Sequence, residues 1–284
     1  MARSAAGFFA LGLVAFGLRA EEAAPPAPAA DVLTATVAAA GSSRLVDPAG
    51  GPLGRQSQFD ANLSVLERRP IGAGPWYYGW GVESQQYVFT GAPALGLDRL
   101  QEVAGQLSLE YFLKGEAVAA LTVRPGLYFG NHAGASSWDA PVQAVSGIPI
   151  TEAFSGVVGG SDGRLFHHAI PIVGAVWTLS PSVRVEAVYP EPALIVTLRP
   201  DWEFRLGGEL TGDGFLASAG TTRTRLEYYS YRVLAALSYR LAPGAKLTLG
   251  AGAEVERVFD FYEIGRRLQA RPSASAEFGL ELLP

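Results

Sequence analysis

The chain has 284 residues, with 22 Lys and Arg against 27 Asp and Glu, a formal net charge of −5 and no cysteine. This acidic balance excludes the basic surface that a nucleic-acid-binding protein needs, so we expect no nucleic-acid partner. Because disulfide bonds are absent, the stability of the fold must come from backbone pairing and packing.

The N-terminus has the layout of a secretory signal peptide. Arg3 precedes an apolar segment over residues 5–18, and Arg19 and Ala20 follow it. A membrane-spanning helix is the competing interpretation, but the apolar segment is shorter than the roughly 18–20 residues that such a helix needs. We therefore place the signal peptide at residues 1–20. Its removal takes away two of the 22 basic residues and changes the net charge from −5 to about −7.

The mature chain is predicted to be one β domain behind a short leader. Residues 21–31, which are rich in Ala and Pro, are predicted to be a periplasmic lead-in, because proline has no N–H to donate to a sheet. Residues 32–284 show a β pattern without an interior linker, which predicts a single domain. The pattern predicts about twelve strands, at residues 32–41, 57–67, 76–89, 100–113, 116–129, 165–179, 182–189, 193–199, 201–211, 222–241, 246–261 and 273–283.

The predicted strand over residues 222–241 shows the pattern most fully. Its odd positions from 229 to 239 are apolar or aromatic, whereas Ser and Arg occur at even positions. Successive side chains of a strand point to opposite faces, so this strand has one apolar and one mostly polar face. A strand of a soluble sandwich would also alternate, but it would leave the tyrosines at both ends unexplained. These tyrosines are predicted to form an aromatic girdle at the membrane interfaces: Tyr229, Tyr231 and Tyr239.

The connections between predicted strands favour a membrane barrel. Tight turns, as at residues 180–181 and 242–244, alternate with longer segments, of which residues 130–164 are the longest. Outer-membrane barrels have short periplasmic turns and longer outer loops. The sequence therefore predicts an all-β fold, a single closed antiparallel transmembrane β-barrel of about 12 strands in the bacterial outer membrane. The first strand should pair with the last. The predicted partners are outer-membrane lipid and, during assembly, the outer-membrane insertion machinery.

The same alternation assigns charged side chains of both signs to the lumen. A strongly ion-selective pore would favour one sign, so mixed charge is better explained by cross-strand pairs that brace a partly filled lumen. The alternative is that these charges lie on a solvated sheet face that has no further function. The hairpin around residues 242–244 predicts that Arg232 lies opposite Glu254 or Glu256. The predicted lumen-facing charges are Arg184, Glu186, Arg205, Glu209, Arg232, Arg240, Glu254, Glu256 and Glu277.

Two functions are open from the sequence. The first is a narrow channel or small-solute pore with small polar solutes as its partners. It is favoured because small inward residues, namely Ser230, Ser238, Gly250 and Gly252, leave space in the lumen. Close approach of the barrel backbone explains the two glycines. The second function is a structural or surface-interaction barrel without transport activity.

No sequence motif predicts an enzyme. Neither a G-x-S-x-G elbow nor an H-E-x-x-H pair occurs. His167 and His168 are adjacent on a predicted strand and point to opposite faces, so they cannot chelate one metal ion together. Ser161 and Asp162 lie close to His167 in sequence, but Gly-Ser-Asp-Gly is ordinary loop chemistry. We predict no catalytic residue, no metal site and no cofactor.

Three segments carry a resemblance: LDRLQ at residues 97–101 before an alternating strand, RPGLY at residues 124–128, and AEFGLEL at residues 276–282. Together with the signal peptide, they resemble a domain-of-unknown-function family of bacterial outer-membrane β-barrel proteins. The resemblance implies a barrel fold and an outer-membrane location, without an established substrate. Many outer-membrane proteins end on an aromatic residue that the insertion machinery reads, whereas this chain ends in Leu-Leu-Pro, which weakens the assembly signal.

Overall fold

The computed structural model describes residues 31–91, 96–113, 116–166, 168–219 and 222–283. The predicted signal peptide and all but the last residue of the predicted lead-in lie outside these ranges. Within them, two 3-10 helices occur at Ala135–Ser137 and Tyr262–Ile264, and no helix has the length and hydropathy needed to cross a membrane. The strands are β1 (Asp31–Asp47), β2 (Gly51–Pro70), β3 (Trp76–Thr90), β4 (Arg99–Leu113), β5 (Glu116–Val123), β6 (Gly126–Phe129), β7 (Trp138–Asp139), β8 (Val142–Pro149), β9 (Phe154–Asp162), β10 (Ile170–Ser180), β11 (Val183–Tyr189), β12 (Ala193–Arg199), β13 (Trp202–Ala219), β14 (Thr222–Ala242), β15 (Ala245–Phe261), β16 (Arg266–Ala270) and β17 (Ser273–Leu282).

The sheet closes on itself. β1 pairs with β2 along one edge and with β17 along the other, where Leu33 lies opposite Leu282. Successive strands around the wall pair in antiparallel fashion. The predicted closed antiparallel barrel and its closing pair are confirmed.

Three crossings of the wall consist of two strands each, because a proline interrupts the ladder. Pro125 separates β5 from β6, Pro141 separates β7 from β8, and Pro272 separates β16 from β17. Proline has no N–H and cannot continue the ladder. The seventeen strands of the sheet therefore make fourteen crossings instead of the predicted twelve.

The two additional crossings lie in the segment that the sequence predicts as the longest outer loop, residues 130–164. β7 and β8 form one and β9 forms the other; β8 pairs with β5, and β9 pairs with β10. The sequence of β9 is Phe-Ser-Gly-Val-Val-Gly-Gly-Ser-Asp, so small residues occur on both of its faces. Glycine and serine remove the apolar–polar contrast on which the strand prediction depends.

Two other predicted outer loops are mostly strand. β1 and β2 pair through residues 42–56 and leave only residues 48–50 as a turn. β13 and β14 pair up to Ala219 and Thr222, where the sequence predicts a loop at residues 212–221. These strand ends lie above the apolar band of the barrel, so they lack the alternation that marks the strands below them.

The outward face of the wall carries a band of exposed apolar side chains. On β3, Trp76, Tyr78, Trp80 and Val82 are 43–59% exposed, whereas the inward Glu83 is buried. A band of this extent is unfavourable in water and is solvated by lipid tails in a bilayer. Because closure leaves no sheet edge, the backbone polar groups stay paired inside the hydrocarbon. The chain is therefore a membrane-spanning barrel.

The two ends of the barrel are distinguished by their turns. Turns of two residues, at 181–182, 200–201 and 243–244, lie at the same end as Asp31 and Leu282. Short turns mark the periplasmic side of outer-membrane barrels. We call this the periplasmic end and the opposite one the outer end.

Part of β13 and β14 crosses the barrel at its outer end. β12 pairs with β13 no further than Gly207, while β13 and β14 continue together to their ends. We call residues 212–219 and 222–229 the hairpin extension. It reaches β6 on the far side of the wall, where Leu216 pairs in parallel with Phe129. The Leu216 carbonyl oxygen accepts a hydrogen bond of 2.9 Å from the Gly130 N–H.

The lumen beneath and around the hairpin extension is filled by apolar side chains, which we call the outer core. Its rings pack edge to face: the centroids of Tyr87 and Tyr228 lie 4.7 Å apart, and those of Phe89 and Phe259 lie 5.1 Å apart. The outer core closes the barrel on its outer side. Its buried members are Leu45, Tyr87, Phe89, Leu97, Leu100, Ala104, Tyr128, Leu165, Phe215, Ala217, Leu226, Tyr228, Phe259, Phe261, Leu268 and Ala270.

Candidate functional site

A chamber of about 660 Å³ occupies the lumen below the outer core. Val32 and Leu283 line it near the periplasmic end, and Arg124 and Arg232 line it near the outer core. β1–β5, β8–β11, β13, β14 and β17 all contribute side chains to its surface. Its volume lies within the range of sites that hold small organic ligands. The chamber is therefore the candidate functional site.

A buried ion cluster around Arg124 forms part of the chamber roof. Arg124 lies at the proline break between β5 and β6, and its Nη1 is 3.2 Å from a Glu83 oxygen and 3.4 Å from a Glu102 oxygen. Its Nη2 is 3.0 Å from Asp213 Oδ2. Asp213 belongs to the hairpin extension, so this cluster fastens the hairpin extension to the wall on the side of β3 and β4.

The outer turn between β15 and β16 holds the other side of the hairpin extension. The Glu263 carboxylate accepts hydrogen bonds of 2.6 Å from Thr224 Oγ1 and 2.5 Å from the Arg225 N–H. Partial burial raises the pKa of Glu263, but these hydrogen bonds and the Arg225 guanidinium outweigh it and hold the pKa at about 2. The carboxylate is thus ionised and bound throughout the neutral range.

A second buried ion cluster surrounds Arg232. The predicted hairpin register is confirmed, because Arg232 lies opposite Glu254, with Nε 4.0 Å from the carboxylate. Its closer partner is Asp60 on β2, across the lumen. Glu254 is shared, since it also accepts hydrogen bonds of 2.6 Å from Arg257 Nε and 2.7 Å from Ser230 Oγ. The cluster braces β14 and β15 against β2.

The prediction that Glu256 faces the lumen is wrong, because Glu256 lies beside Tyr231 on the outer face and is exposed. The ladder between β14 and β15 shifts register between Tyr231 and Arg232, so that Val255 is an extra residue on β15. A bulge of this kind reverses the face to which later side chains point. Beyond it, Arg257 takes the inward position and is buried.

Successive side chains of a strand alternate between its two faces, so a residue that lines the chamber identifies the inner face of its strand. By this criterion the other predicted lumen charges lie on the inner face. Arg184 and Glu186 share that face with Val188, and the Arg184 Nε lies 2.9 Å from the Glu186 carboxylate. Arg240 is exposed at the periplasmic end of β14. On the same reasoning Arg205 and Glu209 share a face with Thr211 on β13, and Glu277 shares one with Glu281 on β17.

The predicted aromatic girdle needs one correction. Tyr231 and Tyr239 are half-buried on the outward face, and the Tyr239 ring lies 4.5 Å from that of Trp202. Tyr229 is only 3% exposed, because Phe166, in the connection between β9 and β10, and Ile170, at the start of β10, pack against it. Tyr229 therefore does not face lipid, and sequence periodicity could not reveal that another segment covers it.

The small residues that favoured an open lumen lie outside the chamber. Ser230, Ser238, Gly250 and Gly252 do not line it, and the space lies against the opposite wall. A Cβ on Gly252 would overlap the Val233 carbonyl oxygen, so close backbone approach does explain this glycine. A Cβ on Gly250 would meet only ordinary contacts at 3.5 Å.

One wall of the chamber is apolar. Val157, Ile172, Val176 and Val188 form a buried cluster on β9, β10 and β11, and Val145 on β8 packs against it. All but Val176 line the chamber, and the facing wall carries polar groups such as Asn62 and Gln85. A ligand in the chamber can thus contact an apolar surface and a polar surface at the same time.

The part of the chain that the structure describes contains no group of three or more His, Cys, Asp or Glu side chains that could hold a metal ion. His167 lies outside the described residues. His168 is partly exposed, with Nδ1 4.0 Å from a Glu227 oxygen.

The chain is similar to solved structures of outer-membrane barrels, whereas no family model and no curated protein matches it. The COG4313 outer membrane channel from Pseudomonas putida F1 is 11% identical, with 91% of this chain and 97% of that chain covered and a TM-score of 0.52. This likeness supports the outer-membrane barrel fold.

Two further similarities are weaker. The beta domain of the Bordetella autotransporter Brka is 11% identical, with 90% of this chain and 100% of that chain covered and a TM-score of 0.40. A mutant of the TodX monoaromatic hydrocarbon channel is 9% identical, with 91% of each chain covered and a TM-score of 0.40. Similarities at this level carry no argument about this chain.

Proposed function

We propose that this chain is a bacterial outer-membrane channel for small solutes and that the structure is its closed form. The observation that supports this most is the chamber of about 660 Å³ inside a membrane-spanning wall. A barrel with a purely structural role gains stability by filling its interior with side chains. The similarity to a barrel described as an outer membrane channel agrees with this proposal.

The hairpin extension is the gate of the proposed channel. Solutes reach the chamber from the periplasmic end, but passage to the outside requires the hairpin extension to leave the lumen. Among the described residues, its parallel ladder with β6 consists of one residue pair, Leu216 with Phe129. Opening also breaks the contact of Asp213 with Arg124 and those of Thr224 and Arg225 with Glu263, whereas residues 226–229 stay paired with β15 in the wall.

The remaining assignments belong to the same proposal. Outer-membrane lipid surrounds the apolar band, the outer-membrane insertion machinery assembles the barrel, and the chain is a member of the domain-of-unknown-function family that its sequence resembles. We assign it no catalytic role. A structural or surface-interaction barrel is the second candidate, and the packed outer core favours it because no such core is needed for transport.

A disulfide lock tests the gate. The chain has no native cysteine, so Phe129→Cys with Leu216→Cys introduces the only pair of thiols. These residues are ladder partners, which places their Cα atoms within disulfide range. We expect the oxidised double variant to show no conductance in planar bilayers, because the hairpin extension cannot leave the lumen. Reduction should restore the openings of the wild-type protein.

Each single cysteine variant is the control and should conduct in both redox states. Uptake of small neutral sugars into liposomes should follow the same pattern as conductance. If the wild-type protein and the reduced variant neither conduct nor take up solute, the structural barrel replaces the channel. Equal conductance of the oxidised and reduced variants would show that the hairpin extension is not the gate.

A further inference from the structure

Every arginine that lines the chamber has a carboxylate partner. Arg68 Nε lies 3.0 Å from the Glu110 carboxylate, Arg124 binds Glu83 in the roof, and Arg232 pairs with Asp60. The carboxylates at least balance these arginines, since Arg124 alone meets three of them. They leave no uncompensated positive charge on the chamber surface that could attract an anion.

One buried carboxylate on the chamber surface has no such partner. Glu191 lies in the turn between β11 and β12, lines the chamber and is only 4% exposed. No described residue forms a hydrogen bond or an ion pair within 4.0 Å with its side chain. Arg205 on β13 is near enough to act on it electrostatically, but the two do not meet. The other acidic residue without an arginine partner, Glu281, lies near the mouth, 3.9 Å from Lys246 Nζ.

An isolated carboxylate in a buried site is costly, because it loses water without gaining a hydrogen-bond donor. A guest that brings a positive charge and N–H donors removes this cost, and charge-assisted hydrogen bonds of this kind are among the strongest in proteins. No aromatic side chain of the described residues lines the chamber, so these residues offer no cage of the kind that recognises quaternary ammonium groups. The hydrogen-bond donors must therefore come from an ammonium group that has at least one N–H bond.

The apolar wall begins beside this carboxylate. Val188 precedes Glu191 by three residues on the same hairpin, and it packs with Ile172 and Val157 along the chamber. A guest whose charged end lies at the roof can thus place a hydrocarbon body against these side chains. The polar residues Asn62 and Gln85 line the chamber as well and leave room for bound water.

We propose that the chamber binds small primary or secondary amines that carry a short apolar body, with the ammonium group on Glu191 and the body on the wall around Val188. This inference names the solute class of the proposed channel and rests on that proposal. The guest is defined by its chemistry: a single ammonium group and a hydrocarbon portion small enough for about 660 Å³.

Calorimetric titration of the full-length protein in detergent micelles tests this inference. The probes are n-hexylamine, 1-hexanol and hexanoate, which share a six-carbon body and differ in charge, each corrected by titration into protein-free micelles. We expect n-hexylamine to bind the wild-type protein most tightly. Glu191→Gln should weaken its binding about tenfold or more, as loss of a charge-assisted hydrogen bond does, and should leave 1-hexanol unchanged.

Glu281→Gln is the matched control, because it removes a carboxylate at the mouth and should leave n-hexylamine binding unchanged. Binding of hexanoate or 1-hexanol to the wild-type protein as tightly as n-hexylamine overturns the inference, whether or not the variant folds. So does a Glu191→Gln protein that binds n-hexylamine like the wild type. If solute flux persists while amine selectivity is absent, only this inference fails; if amines bind but no solute passes, the channel fails and the binding site stands.

Discussion

Arg124 holds three buried carboxylates that belong to three other strands. Glu83, Glu102 and Asp213 all lie within 3.4 Å of its guanidinium, and each of these side chains is at most 7% exposed. Removing the cation from such a cluster leaves like charges buried together without compensation. The stability of the roof thus depends on one side chain.

Arg124→Ala should lower the free energy of unfolding by about 3–5 kcal/mol, which is the usual cost of removing one partner of a buried ion pair. Arg69→Ala is the matched control. Arg69 also meets two carboxylates, Asp31 and Glu67, but its side chain is 41% exposed, so its removal should cost less than about 1 kcal/mol. Urea unfolding in lipid vesicles, followed by tryptophan fluorescence, measures both. Similar costs for the two variants would contradict the role of burial.

At the scale of single residues, the sequence predicts contacts between two strands that a short turn joins. Arg232 opposite Glu254 follows from the turn at residues 243–244, because register propagates along an antiparallel pair. Asp60 could not be predicted as the closer partner, since it reaches Arg232 across the lumen from another strand. The bulge at Val255 gave no sequence signal and moved Glu256 to the outer face. Glu191 was missed because a Pro-Glu-Pro turn is ordinary loop chemistry.

At the scale of the elements, the hairpin extension depends on one glycine. Gly212 has φ +143°, a conformation that residues with a Cβ rarely adopt, and an added Cβ would overlap the Tyr228 carbonyl oxygen. β13 bends at this position toward β6. The bend therefore requires glycine both for its backbone conformation and for the close approach of β14.

Gly212→Ala should weaken docking of the hairpin extension by about 1–3 kcal/mol from backbone strain alone, with steric overlap in addition. We expect the variant to unfold at lower urea concentration and to open more often in planar bilayers. Gly265→Ala is the control: its φ is also positive, at +60°, but an added Cβ would have nothing within 4 Å. It should cost about 1–2 kcal/mol and leave the openings unchanged. Unaltered opening in Gly212→Ala would argue against the bend as the hinge.

The sequence predicts the strands whose apolar and polar residues alternate strongly. It does not predict the strands that have small residues on both faces. β3 carries an apolar face from Trp76 to Val82 and β14 carries one from Tyr229 to Tyr239, so the existence of both strands follows from periodicity. β8 and β9 have glycine or serine on both faces and lie inside a segment predicted as loop. They line the chamber with Gln143, Val145 and Val157, but the glycine and serine at neighbouring positions remove the contrast between faces that marks a strand in the sequence.

At the scale of the whole molecule, closure and the outward apolar band were predictable because both follow from the membrane. Every strand that meets lipid must pair on both edges, and every second side chain must be apolar. The filled outer end could not be predicted, because the outer core joins residues from distant strands whose contact depends on the bend in β13.

A pair of neighbouring residues on β5 tests the membrane assignment. Leu121 is 43% exposed on the outer face, and Thr122 lines the chamber. Leu121→Arg should lower the free energy of unfolding in lipid vesicles by about 2–4 kcal/mol, because it places a cation among lipid tails. Thr122→Arg, whose side chain meets the chamber, should cost clearly less. Equal tolerance of the two changes would mean that this part of β5 does not cross the bilayer.

The outer core also divides the barrel into two mechanically different parts. Among the described residues, no member of the strands β7 to β12 belongs to it, and the buried apolar clusters that these strands join are the small valine cluster and the one that contains Ile170 and Tyr229. Segments with few buried apolar contacts open at lower free energy than segments that back onto a packed core. The barrel thus has a stiff part and a smaller, more compliant part, and the chamber can swell or shrink by flexing β7 to β12 while the stiff part stays fixed.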